Sequence, residues 1–275
     1  ITTKERIVPK PEESSSILDD LKDLVKNIPW VIMLTVTILQ FTTLAMKGGA
    51  YVYYFENYVS KNSLSDFISP IIDFLSSIGI NFFGSDPVSA GFGLFNAGGI
   101  IFMIIGIGLS KILADKYGKR NVFGVFLFIS TLFILVFYFL SPDSINLIFG
   151  AQIFHGFFYG ITIPLLWAMI ADVADYSEWK NNRRATAIIF SAMMVGLKLG
   201  LSIGGALVAS ILGSYGYVPN SIGEQTESAI LGTKMLVSVF PSIPFLVAAA
   251  LLFFYVIDKK MEEKIEQDLL KKRKS

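Results

Sequence analysis

The 275-residue chain carries 23 Lys and Arg against 22 Asp and Glu, a net charge of +1, with 16% charged residues and a mean hydropathy of +0.60. So even a balance gives no ground for a nucleic-acid partner, and so apolar a composition argues against a soluble domain. The absence of cysteine removes disulfides, thiol catalysis and thiolate metal sites together.

The chain opens at Ile1 in polar sequence and reads as the continuation of a longer one. Residues 1–29 are expected to be a cytoplasmic loop: a linker with Pro9 and Pro11, then a short amphipathic helix capped at Ser16 and Asp19, with Lys22 and Lys26 toward water. Pro29 should end that helix. Six nearly uncharged windows follow, about 30–54, 89–113, 122–140, 145–171, 185–212 and 229–257, each long enough to cross ~30 Å of hydrocarbon. The sequence therefore predicts an all-α membrane protein, with a six-helix bundle over 30–257 and a charged cytoplasmic tail over 258–275.

Within the first span, Lys47-Gly48-Gly49 suggests a break or kink, and Lys47 either snorkels to the surface or serves the interior. The piece from Ser60 to Pro87, with Pro70 and Asp73, is read as an outside amphipathic segment, because inserting it would invert every later loop. Span two is rich in glycine, which favours close helix packing. Span four carries Gln152, His155, Tyr159 and Thr162 on nearly one face, then Pro164 and Trp167, before Asp172 and Asp175. Span five holds Lys198 near its midpoint, and Pro241 and Pro244 should kink span six. Lys and Arg cluster in one set of loops, at Lys111 to Arg120, Lys180 to Arg184 and Lys271 to Lys274, so both termini are expected to be cytoplasmic.

Candidate functional residues follow from charge at depth. An unpaired ammonium at mid-bilayer costs at least ~2.5 kcal/mol, so Lys198 calls for a water-filled site, a solute, or a carboxylate outside this chain. The polar face of span four, Gln152, His155, Tyr159 and Thr162, could line the same cavity and suits sugar hydroxyls, with interhelical hydrogen bonding as the plainer alternative. Asp172 and Asp175 are neighbours near a helix C-terminus, where carboxylates need cations. Arg183 and Arg184 are the local candidates, then Lys119 and Arg120; a solvated charged turn is the alternative. Gly200-Leu201-Ser202-Ile203-Gly204 matches the G-x-S-x-G string of serine hydrolases, with His155 as the one possible imidazole base, but it lies inside a span among small residues.

The block Ala171 to Lys180, the Arg183-Arg184 pair, Lys198 and Gly216-Tyr217-Val218-Pro219-Asn220 resemble the C-terminal half of the glycoside-pentoside-hexuronide:cation symporters, the melibiose carrier family of the major facilitator superfamily. Thr3 to Arg6 resembles the central loop, Tyr53-Tyr54-Phe55 the end of helix seven, and Asp115 to Arg120 the facilitator loop motif. The resemblance implies a twelve-helix carrier of which this chain is helices seven to twelve, two bundles rocking about a midplane site. It implies symport of a sugar or glycoside with Na⁺ or H⁺, without covalent chemistry or a resident cofactor, in a bacterial cytoplasmic membrane. Lys198 matches a lysine near the sugar and cation sites, while Asp172, Asp175 and Arg184, with Arg183, Asp115 and Arg120 beside them, match charges that close the cytoplasmic side. The carboxylates that hold the cation belong to the N-terminal half, the implied partner. A facilitator of another solute, such as a lysolipid, and a half-protein without its own flux are the alternatives. The resemblance does not account for the 60–87 segment.

Overall fold

The computed structural model describes residues 24–80, 86–181, 185–219 and 225–274. Among the described residues the regular elements are all helical: α1 (Ile28–Asn57), α2 (Lys61–Ser77), α3 (Pro87–Tyr117), α4 (Lys119–Val136), α5 (Ile145–Asn181), α6 (Thr186–Ser214), α7 (Glu227–Val237), α8 (Val239–Leu251) and α9 (Lys259–Lys274). Six stretches of the described residues are long and apolar enough to cross a bilayer: α1, α3, α4, α5, α6, and α7 with α8 and the 3-10 turn Leu252–Phe254. The chain is an all-α integral membrane protein. The predicted cap at Ser16 and Asp19, and Lys22 with it, lie outside the described residues.

Pro29 does more than end what precedes it. It occupies the first turn of α1, where its missing N–H has no helical acceptor to lose, and Asn27 caps that turn by accepting from the Trp30 amide at 3.4 Å. Asp86 and Pro87 open α3 in the same way, with the Asp86 carboxylate taking the Ser89 amide at 2.9 Å.

α5 lies between α3 and α4, and α1 lies between α6 and the α7–α8 pair. Glycine sets both close approaches. A side chain on Gly156 or Gly160 of α5 would run into the Gly99 or Met103 carbonyl of α3, and one on Gly200 or Gly204 of α6 into the Ile38 or Thr42 carbonyl of α1. Two hydrophobic cores result. One, with Phe123, Leu166, Ile170 and Tyr255, sits at the end bearing Lys119 and Asp172; the other, with Tyr51, Phe55, Phe95, Phe137 and Phe149, fills the opposite end.

Two expectations need correction. α1 runs unbroken through Gly48 and Gly49: each glycine weakens a helix by ~1 kcal/mol, which is small against burial of Met46, Ala50, Tyr51 and Tyr54 on the inner side. Span six breaks at Ser238 (φ −126°, ψ −81°), three residues before Pro241. The Pro241 ring crowds the carbonyl four residues back, that of Val237, which is where α7 stops, while Pro244 is carried within α8. Pro164 likewise leaves α5 continuous over 37 residues.

The stretch after α1 forms α2, an amphipathic helix below spanning length that buries Leu64 and Ile68. It is moored to the turn between α4 and α5. Tyr58 OH donates to the Leu140 carbonyl at 2.6 Å, Ser60 N to the Pro142 carbonyl at 3.0 Å, and Ser63 Oγ to Asp143 at 2.7 Å. Hydrogen bonds from Ser63 and Ser60 hold the Asp143 carboxyl below the usual carboxylate range.

Candidate functional site

Lys198 stands on the exposed face of α6 and has no hydrogen-bond or ion-pair partner among the described residues. The helix's opposite stripe, Gly196, Gly200 and Gly204, is pressed against α1, so the 3.6-residue period turns Lys198 away from the bundle. Beside it, Leu34 and Ile38 of α1 with Ser191, Val195 and Leu199 of α6 line an open apolar cleft of about 560 Å³. The G-x-S-x-G string is explained by packing. Its two glycines admit the α1 backbone, and Ser202 Oγ donates to the Lys198 carbonyl of its own helix at 2.9 Å, on the exposed side and apart from the buried His155.

The polar face of α5 is turned inward instead. Gln152, His155, Tyr159 and Thr162 are all buried, and their hydrogen-bond partners lie on α1, α4 and α5 itself. Gln40 Nε2 donates to Tyr159 OH at 3.1 Å, Tyr51 OH donates to Gln152 Oε1 at 3.1 Å, Ser130 Oγ meets His155 Nδ1 at 2.8 Å, and Thr162 Oγ1 donates to the Tyr159 carbonyl at 2.7 Å. His155 stacks on Tyr159, and Tyr159 on Phe245 of α8. Lys47 joins this seam from α1 and is buried, so it does not snorkel. Trp167 is half-buried at the edge of the neighbouring core. The sequence reading brought Lys198 and the α5 face to one cavity; the fold separates them, one outward and the other inside.

The third cluster lies where α4, α5 and α9 meet. Lys119 Nζ is 2.7 and 2.8 Å from the two Asp172 oxygens and 2.7 Å from Glu262. Asp175 is one turn on from Asp172. Arg183 and Arg184 lie outside the described residues, so the cation observed on Asp172 is Lys119. Arg120 serves a backbone acceptor, donating to the Tyr255 carbonyl at 3.0 Å, and Asp115 contributes its own carbonyl to Lys259 Nζ at 2.7 Å. Further along, Trp179 Nε1 donates to Asp268 at 3.0 Å and Arg273 pairs with Glu178 at 3.1 Å. The tail is thus a docked helix.

Several of these residues escaped the sequence reading: Gln40, Tyr51, Ser130, Tyr255 and Glu262. Gln40, Lys47, Tyr51 and Tyr54 recur at spacings of seven, four and three, one face of a helix, and that pattern could have revealed the seam. Glu262 gave no such signal, because its role depends on where α9 lands.

The profile of the family described as MFS/sugar transport protein matches residues 73–259. The chain belongs to this family. It is 28% identical over 272 residues to a putative glycoside/cation symporter, YagG, of Escherichia coli (strain K12), covering 99% of this chain and 53% of that protein. It is 27% identical over 272 residues to an isoprimeverose transporter of Lactiplantibacillus pentosus, covering 98% and 50%. It is 30% identical over 152 residues to a glucuronide carrier protein homolog of Escherichia coli (strain K12), covering 55% and 33%. The chain spans about half the length of the curated relatives it matches. In an MFS protein the three clusters have different positions to fill: a charge on an open face, a polar seam within the bundle, and an ionic cluster at one end.

Proposed function

We propose that the chain is the C-terminal six-helix half of a cation-coupled carrier that takes up a sugar or glycoside by alternating access. The observation that carries this is Lys198, an ammonium near the middle of a membrane-spanning helix, exposed and without an acidic partner among the described residues. An isolated charge at that depth is unfavourable unless water, solute or a second bundle meets it. A second six-helix bundle packed over the α1–α6 face would bring its carboxylates, the coupling cation and the solute to that point. The names of the relatives, glycoside/cation symporter, isoprimeverose transporter and glucuronide carrier protein homolog, agree with this reading.

Residues 1–29 then form the central cytoplasmic loop, 30–257 the bundle and 258–275 the cytoplasmic tail, with the cluster around Asp172 facing the cytoplasm by the excess of Lys and Arg there. In the outward-facing state Asp172 and Asp175 would be closed onto cations drawn from Lys119, Arg183 and Arg184, and those pairs would part as the bundles rock inward. The membrane is the bacterial cytoplasmic one, and the coupling ion is Na⁺ or H⁺.

The test is solute accumulation by the complete protein in proteoliposomes, with Na⁺ and pH gradients imposed separately. One gradient should drive accumulation. Lys198→Ala should abolish that accumulation with the amount of folded protein unchanged; coupled uptake at the wild-type level would sink the role of Lys198. Solute that equilibrates without responding to either gradient would mark a facilitator.

A further inference from the structure

α2 is longer than the platform beneath it. In its first half Leu64 and Ile68 are buried: Leu64 is seated against Gly91 of α3, where a Cβ would lie 2.8 Å from it, and Phe67 packs on Phe149 of α5 with ring centroids 4.9 Å apart. From Ser69 to Ile80 no residue is buried. Phe74 is 64% exposed and Ile78 57%. Phe67, Ile71, Phe74 and Ile78 recur at spacings of four, three and four, which makes one apolar stripe along the helix. Asn62, Asp66, Ser69 and Asp73 share the other side, and all four are exposed.

The moorings of α2 fix its height. Tyr58, Ser60 and Ser63 tie it to the turn between α4 and α5, and a turn that joins two spanning helices marks the boundary of the bilayer. Its 17 residues are too few to cross the hydrocarbon. α2 packs on α3 and α5, whereas the face that bears Lys198, where a second bundle would sit, belongs to α1 and α6. Further along α3, Ile100, Ile101, Ile104 and Ile105 are exposed, the surface that a spanning helix shows to acyl chains. The stripe on α2 continues that surface up to the boundary.

A short helix with a wide apolar side, a polar side and this height is built to lie in the plane of the membrane surface. We propose that the free half of α2 is a lipid-contact helix. Phe74 and Ile78 enter the layer between headgroups and acyl chains, Asp66 and Asp73 face water, and the partner is zwitterionic phospholipid. The polar side is acidic rather than basic, so anionic headgroups would repel it. The helix gives the bundle a foot on the membrane surface at the end opposite Asp172, and its ties to α3 and to the α4–α5 turn make that foot move with the bundle. This needs the membrane fold alone and does not depend on the transport reading.

The experiment is spin-label accessibility in the complete protein, freed of cysteine except at the labelled position, in nanodiscs of phosphatidylcholine; this chain contributes no cysteine of its own. The labels are carried by Asp66→Cys, Asp73→Cys, Phe74→Cys and Ile78→Cys in turn. Oxygen concentrates among acyl chains and a water-soluble nickel complex stays in water. Collisions with oxygen should outnumber those with nickel at positions 74 and 78, and the ratio should invert at 66 and 73. Nickel-dominated collision at 74 and 78 would place the stripe in water and overturn the proposal. Exclusion of both reagents there would show a protein surface, the second bundle or a second copy, over the stripe, and would overturn it too. In phosphatidylglycerol nanodiscs the oxygen-to-nickel ratio at 74 and 78 should fall; a rise would overturn the choice of headgroup. No uptake is read, so each of these results leaves the transport reading where it stands.

Discussion

Lys119 shows how much one ammonium can organise. It joins the start of α4 to Asp172 of α5 and to Glu262 of α9, and its removal would leave two carboxylates facing each other. Breaking a fully buried pair costs ~3–5 kcal/mol. The cost here should be smaller, because the Lys119 side chain keeps 23% of its exposure. Lys119→Met is therefore expected to lower the melting temperature of the purified protein, and neutralising both acids as well, by Asp172→Asn and Glu262→Gln, to restore most of it. No recovery in the triple variant would show that Lys119 acts through packing alone. Gly200 poses a harder limit, since its obstacle is a backbone carbonyl rather than a side chain. Gly200→Leu should cost at or above the upper end of the ~1–3 kcal/mol typical of overpacking. Gly205→Leu, which meets nothing within 4 Å, should be nearly neutral. A size-exclusion profile and melting curve for each would check the contrast.

At the level of elements, α9 is held by contacts of different kinds. Ile265 and Leu269 are 3% and 5% exposed, and the polar contacts to Lys119, Trp179 and Glu178 surround them. Deleting buried side chains of this size costs ~2–5 kcal/mol each. Ile265→Ala with Leu269→Ala should undock α9, exposing the 256–258 link to limited proteolysis and shifting Trp179 fluorescence to the red; an unchanged digestion pattern would show that the ionic contacts suffice. α2 depends on one carboxylate in part. Because Asp143 titrates below the usual range in the folded chain, its contribution is present above that range and is lost as pH falls through the lowered value. A spin-label distance from α2 to α5 should hold through neutral and mildly acidic pH and lengthen only below the ordinary carboxylate range. The elements themselves were legible in the sequence, because a bilayer of fixed thickness leaves an apolar window little choice but to span it. α2 was placed outside by charge alternation alone. The inward turn of the α5 polar face was not legible, since α5 carries apolar residues all round and its rotation is set by glycine contacts with α3. Nor was the fate of Lys47, for the same sequence serves a snorkelling lysine or a buried one until α5 is in place.

Across the whole molecule, the arrangement pairs helices that are far apart in the chain. α1 finds its partners in α5, α6 and α8, with Gln40 and Tyr159 separated by 119 positions and Thr43 and Pro241 by 198. Those numbers describe an order of synthesis. At ~5–20 residues per second, Tyr159 is made roughly 6 to 24 s after Gln40. During that interval α1 must enter the membrane with Gln40 and Lys47 not yet covered by α5. The insertion machinery, or a first stay at the bilayer surface, has to shelter them. A photo-crosslinker at Gln40 should therefore capture the translocation apparatus on nascent chains that end before α5, and Tyr159 on chains that extend past it.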